Sequence, residues 1–268
     1  MDKTDRPIGV FDSGIGGLTV LKEIIRVLPL ESTIYLGDTA RVPYGIRSAE
    51  TVRRYSFENT RFLSSKDVKL LVIACNTASS VSLDSIKSSI SIPVIGVIEP
   101  GATAAVRATR NKKIGVIGTA ATVRSSAYTK AIQAIDGSID VFGLACPLFV
   151  PLVEEGWTEG HIASLIVKQY LDGIKERIDT LVLGCTHYPL LKKVISEVVG
   201  EEVALIDSAV ETSREIKALL EESGLNRGNG GRPRRDFYVT DSPERFVTVG
   251  ENFLGEEIRH IEKIAVGI

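Results

Sequence analysis

The segment Lys69-Leu-Leu-Val-Ile-Ala-Cys75-Asn-Thr-Ala-Ser79 joins an unbroken apolar run to a short polar turn. A run of four to six residues without polar alternation suits a strand buried on both faces. Thr77 or Ser79 then suits the cap of a following helix. The same order recurs along the chain. Runs of this kind stand at Ile8-Gly-Val-Phe11, Thr33-Ile-Tyr-Leu36, Val94-Ile-Gly-Val-Ile98, Lys113-Ile-Gly-Val-Ile117 and Thr180-Leu-Val-Leu183. Between them, Leu18–Arg26 and Glu159–Leu171 space their apolar residues three and four apart, as amphipathic helices do. The βαβα order predicts an α/β fold with mostly parallel sheets flanked by helices.

Working outward, the pattern repeats itself. Ile8-Gly9-Val10 recurs as Ile114-Gly115-Val116, and Leu70–Cys75 recurs as Thr180–Cys185, at nearly the same offset. Two divergent copies of one unit of about 100 residues account for this, each with a cysteine after the corresponding strand. The expected architecture is therefore two similar α/β domains related by an approximate two-fold axis. From about Asp207 the chain holds a helix (213–223), a loop rich in arginine and glycine (224–235), a strand at Phe237–Thr240 and a last helix. The loop is read as solvated surface and is assigned no chemistry.

Composition narrows the function. With 268 residues, 44% hydrophobic and 25% charged, the chain is long enough for two cores and has no bias toward disorder or a coiled coil. Its 32 basic and 34 acidic side chains leave a net charge of −2. No overall positive field draws it to nucleic acid or anionic lipid, which leaves a small molecule as the expected partner. No apolar run reaches the ~20 residues of a membrane span, and the first residues do not resemble a signal peptide, so a cytoplasmic location is expected. The three cysteines, Cys75, Cys146 and Cys185, are too few and too scattered for a disulfide framework.

Ligands of open parallel sheets bind beyond the carboxyl ends of the strands. The unusual residues gather there: Asp12-Ser13-Gly14, Asp38 through Tyr44-Gly45, Cys75-Asn76-Thr77, and Cys185-Thr186-His187. A cysteine at a helix N-terminus is expected to ionise below its usual pKa of about 8.5. A lone cysteine is ordinarily a small buried hydrophobe, but two at equivalent positions of a repeat point to chemistry. Cys146 has no equivalent and keeps the ordinary reading. His187 is placed to act as an acid or base beside Cys185. Asp12 either tunes the other thiol or caps a helix, and spacing alone gives Glu154 no role. The turn Gly14-Ile-Gly16-Gly17-Leu-Thr19 lacks the third glycine of a dinucleotide fingerprint, and no Walker motif occurs. Cys75, Cys185 and His187 lack the spacing of a metal site.

Equivalent cysteines facing each other across a cleft place one ligand between two thiols. Inversion at a stereocentre needs that arrangement. One thiolate removes the proton from Cα and the opposite thiol returns one to the other face. Ser13, Asn76, Thr77 and Thr186 are the candidates for holding carboxylates and stabilising the developing charge.

The segments IGVFDSGIGGLTV, YLGDTARVPYG, IACNTASS and LGCTHYPLL, with PLVEEG around Glu154 and the terminal Phe237–Phe246, resemble the glutamate racemases over nearly the whole chain. That resemblance implies a cofactor-independent isomerase interconverting L- and D-glutamate and supplying D-glutamate to peptidoglycan. It implies that Cys75 acts on D-glutamate and Cys185 on L-glutamate, with Asp12, Glu154 and His187 assisting. It implies substrate contacts from Asp12, Ser13, Tyr44, Gly45, Asn76, Thr77, Thr186 and His187, no metal, and a homodimer. It also implies that the tail rejoins the first domain, giving domains of 1–97 plus 208–268 and 98–207. Three other functions stand beside it. They are an aspartate racemase of the same superfamily, a two-lobed amino-acid-binding module, and a pyridoxal-phosphate racemase, which needs a Schiff-base lysine.

Overall fold

The computed structural model describes residues 2–228 and 231–267. Asn229 and Gly230, in the loop rich in arginine and glycine, lie outside the described residues. The first unit alternates β1 (Ile8–Asp12), α1 (Leu18–Val27), β2 (Thr33–Gly37), α2 (Ala49–Ser65), β3 (Leu70–Ile73), α3 (Asn76–Lys87) and β4 (Val94–Gly96). The second begins with α4 (Ile98–Ala108) and β5 (Lys113–Gly118), followed by α5 (Ala120–Ser125), α6 (Ala127–Ile135), β6 (Asp140–Ala145), α7 (Phe149–Glu154) and α8 (Gly160–Leu171). It ends with β7 (Thr180–Gly184), α9 (Lys192–Val199) and β8 (Ala204–Asp207). Then come α10 (Ser208–Glu222), β9 (Arg235–Val239), α11 (Pro243–Leu254) and β10 (Ile261–Lys263).

The strands form two parallel sheets, ordered β10-β9-β2-β1-β3-β4 and β6-β5-β7-β8. The order β2-β1-β3-β4 in one matches β6-β5-β7-β8 in the other, so the repeat read from sequence is a repeat of topology. The central strands β1, β2, β3 and β7 are buried along their whole length, as their unalternating apolar runs require.

Several boundaries differ from expectation, each for a local reason. β6, β8 and β10 were not predicted. They are edge strands with partly exposed faces, so they lack the apolar run that marks the central ones. Val97 and Ile98 leave the strand because pairing between β3 and β4 ends at Ile73↔Gly96, and α4 begins at once. α10 starts well before the predicted Ser213, because the Asp207 carboxylate accepts a hydrogen bond from Ala209 N and caps the helix there.

The tail returns to the first sheet. β9 pairs in parallel with β2 from Thr33↔Arg235 to Gly37↔Val239, and Tyr35 packs against Phe237 and Phe246. At the opposite end of the sheet from the polar turns, Lys69 Nζ meets buried Glu31 at 2.6 Å and donates to Thr4 O and Leu225 O. Arg227 N donates to the other oxygen of Glu31. In the loop rich in arginine, Arg234 and Arg235 pair with Asp236 and Glu256, so these cations are engaged locally.

Candidate active site

The polar turns singled out by sequence leave the carboxyl ends of their strands and converge. Ser13 follows β1, the single 3-10 turn Tyr44–Ile46 follows β2, Cys75-Asn76-Thr77 follows β3, and Cys185-Thr186-His187 follows β7. Together with Glu154 at the end of α7, they line one cavity of about 360 Å³. Asp12 is fully buried and lies behind Ser13 rather than in the wall. Its Oδ2 accepts a hydrogen bond from Gly14 N, while the cap of α1 is Gly17. Asp12 therefore braces the turn that leads into α1.

Cys75 occupies the N-cap of α3, and its Sγ lies 3.6 Å from Ser13 Oγ. Its thiol does not ionise early as the helix-terminus argument predicts. Burial, reinforced by the neighbouring Asp12 charge, pushes its pKa up to about 12 and outweighs the backbone N–H of Ala78. Desolvation wins because the dipole supplies only a partial charge, whereas burial removes the whole hydration of a thiolate. Burial also raises Asp12, opposed by His187 and by backbone N–H groups.

Cys185 has different neighbours. Its Sγ lies 3.9 Å from His187 Nδ1, and His187 Nε2 lies 3.1 Å from Glu154 Oε1. Arg245 of α11 reaches the other oxygen of Glu154 at 3.3 Å, and Phe253 of the same helix meets the His187 ring edge-on. Burial by itself lowers the His187 pKa, but hydrogen bonding to Cys185 and Glu154 outweighs it and raises the pKa to about 10. Glu154 is held below its ordinary value, first by its hydrogen bond to His187. The pair is thus an imidazolium and a carboxylate at neutral pH. Spacing assigns Glu154 no role because its partner belongs to a different turn and is brought near only by the fold.

The remaining wall supplies donors. Tyr128 OH donates to Asn76 Oδ1 at 2.7 Å, which orients the amide, and the buried Asn76 Nδ2 has no protein partner among the described residues. Thr77, Thr119 and Thr122 join hydroxyls at 2.9–3.1 Å and so link α3 of one unit to α5 of the other. Sequence reading missed Thr119, although the repeat carried the signal: the same offset that maps Ile8 onto Ile114 also maps Ser13 onto Thr119. Val42, Pro43, Ile46, Ala120, Pro147, Val150 and Pro151 complete the wall. Val42 and Pro43 fall within the turn singled out between Asp38 and Gly45; the others were missed because apolar side chains carry no chemical signature. Cys146 lies outside the cavity, buried in the core with its carbonyl accepting from Tyr188 OH.

Such a cavity can hold a small dianion against hydroxyl and amide donors, between a protonated thiol on one wall and a thiol beside a cation on the other. Comparison with known proteins points the same way. The sequence profile of the Asp/Glu/hydantoin racemase family matches residues 8–216. The chain is 54% identical over 262 residues to a glutamate racemase of Geobacter metallireducens, covering 97% of each chain. A crystal structure of a glutamate racemase isoform from Bacillus anthracis superimposes with a TM-score of 0.94 at 43% identity, covering 98% of each chain. The glutamate racemase of Francisella tularensis in complex with D-glutamate does so with a TM-score of 0.92 at 41% identity, again covering 98% of each.

Proposed function

The chain belongs to the Asp/Glu/hydantoin racemase family, on its glutamate racemase branch, and from that membership we propose that it interconverts L- and D-glutamate by two-base proton transfer between Cys75 and Cys185. The observation that carries this reading is the pair of thiols, one after each corresponding strand of the repeat, lining one cavity.

The roles follow from the two environments. His187, an imidazolium at neutral pH, stabilises negative charge on Cys185 Sγ, which suits Cys185 to act as a base, and the family resemblance implies that the proton it takes is the α-proton of L-glutamate. Cys75, whose pKa lies far above neutrality, is the thiol that delivers a proton to the opposite face of Cα. Starting from D-glutamate the two exchange roles. Ser13, Asn76, Thr77 and Thr186 hold the carboxylates and the charge that develops on the α-carboxylate, and the Tyr44-Gly45 lip closes the other side. Asp12 acts on the Cys75 side, Glu154 through His187 on the Cys185 side. No cofactor takes part. The same reading assigns domains of 1–97 plus 208–268 and 98–207, a homodimer, a cytoplasmic location, and supply of D-glutamate to peptidoglycan. The sheet order and the return of β9 and β10 support the domain assignment. No helix among the described residues is long and apolar enough to cross a membrane.

The test is direct. In D₂O the purified protein should exchange the α-hydrogen of L-glutamate and abolish its optical activity, while L-aspartate remains unchanged. Cys75→Ala and Cys185→Ala should each lose racemisation while keeping the circular dichroism of the folded chain. Full turnover by either variant would refute the two-thiol reading.

A further inference from the structure

One glycine-rich turn has no part in the chemistry above. Gly14-Ile-Gly16-Gly17-Leu-Thr19 departs from a phosphate-binding pattern at Thr19, and the structure shows what stands against it instead. Thr19 is buried at the start of α1, and its Oγ1 donates at 2.9 Å to the backbone carbonyl of Thr186 in the other unit. The same hydroxyl also approaches Gly16 O at 3.0 Å. Gly16 is not in the left-handed region, so its requirement is space. A Cβ there would lie 2.5 Å from Nδ1 and Cε1 of His187, and closer still to Thr186 Oγ1. From behind, the buried Tyr35 hydroxyl donates to Gly14 O at 2.8 Å and fixes the turn to the sheet.

We infer that this turn is the seat on which the loop bearing the second thiol docks, with Thr19 and Gly16 as positioning residues that hold Cys185-Thr186-His187 against the first unit. Neither residue lines the cavity. Their contacts across the units are with the backbone of Thr186 and the ring of His187, and so their effect falls first on the Cys185 side of the reaction. The inference rests on the two-thiol reading proposed above.

That one-sidedness is measurable. L- and D-glutamate are mirror images of equal free energy, so any variant must change kcat/KM equally in both directions. The variant can still change which proton transfer limits the rate. Thr19→Val keeps the shape of the side chain and removes the donor, leaving the Thr186 carbonyl without it. Misplacing a base by a fraction of an ångström should cost about tenfold to a hundredfold in kcat/KM. Because the Cys185 step becomes more limiting, the primary deuterium isotope effect on kcat/KM should rise for α-deuterated L-glutamate and fall toward unity for α-deuterated D-glutamate. Thr19→Ser, which restores the donor, should return both rate and isotope effects to those of the unaltered protein. Gly16→Ala should shift the isotope effects in the same sense as Thr19→Val.

Unchanged kinetics in Thr19→Val would overturn the inference. So would a loss of rate with both isotope effects unmoved, which marks general loosening, or a shift in the opposite sense, which places the disturbance at Cys75. Failure of the underlying reading shows separately, as full racemisation by Cys185→Ala.

Discussion

Two cysteines that look alike in sequence are made different by their surroundings. Cys75 is held as a thiol by burial, reinforced by the Asp12 carboxyl behind Ser13; Cys185 stands beside His187, whose proton is secured by Cys185 itself and by Glu154. The consequence is testable at the level of one carboxylate. Glu154→Gln removes a negative charge that raises the His187 pKa, so His187 should lose its proton at a lower pH than in the unaltered protein. If the imidazolium is needed for turnover, the alkaline limb of the pH profile of kcat/KM should move toward neutrality while the acid limb stays in place. An alkaline limb that does not move in Glu154→Gln would separate His187 from the reaction. In folding the sign is the same. A histidine whose folded pKa is raised from 6.5 to about 10 contributes stability in full below pH 6.5, and that contribution is lost as the pH climbs through 10.

At the scale of elements, the site is a meeting of turns. The turns after β1 and β3 are short because the parallel strand feeds almost at once into its helix, whereas residues 38–48 separate β2 from α2, and small residues at the turns let the two units approach closely. The lip Tyr44–Ile46 shows this on the outer side of the cavity. A Cβ on Gly45 would meet the Thr119 side chain of the other unit at 2.7 Å. Gly45→Ala should therefore push the lip away from α5 and open the cavity. Because the lip lines the cavity without supplying either sulfur, KM for either enantiomer should rise roughly tenfold with kcat less affected. Steady-state kinetics in both directions measures this, and an unaltered KM would mean that the lip does not contact substrate.

For the whole molecule, the second unit carries a surface the core does not use. Leu148, Trp157, Ile162 and Leu165, on and around α7 and α8, are each a little over half exposed. Large apolar side chains left half exposed on neighbouring elements point to a contact surface. A second copy of the chain is the partner that the proposed homodimer supplies. Light scattering on the purified protein should therefore read twice the mass of one chain, and Trp157→Glu should read that of a single chain. A single-chain mass for the unaltered protein would refute the dimer; a dimeric Trp157→Glu would place its interface elsewhere.

The sequence by itself determined the α/β class, the duplicated unit and both thiols, because central parallel strands are apolar without interruption and a cysteine after each stands out against them. It also determined the polar turns, since ligand-facing residues of such a fold fall at strand ends. The edge strands β6, β8 and β10 were not legible, for their faces are only partly buried and their composition is that of surface. Only the tertiary structure decided what those residues do to one another. The raised pKa of Cys75 comes from burial and from Asp12, which ends a different strand. The Glu154 partner of His187 comes from α7, and the Thr19 donor to Thr186 comes from the other unit altogether. Desolvation, charge and hydrogen bonding act over a few ångströms of space, and no local pattern in the chain records which distant residues folding will bring within that reach.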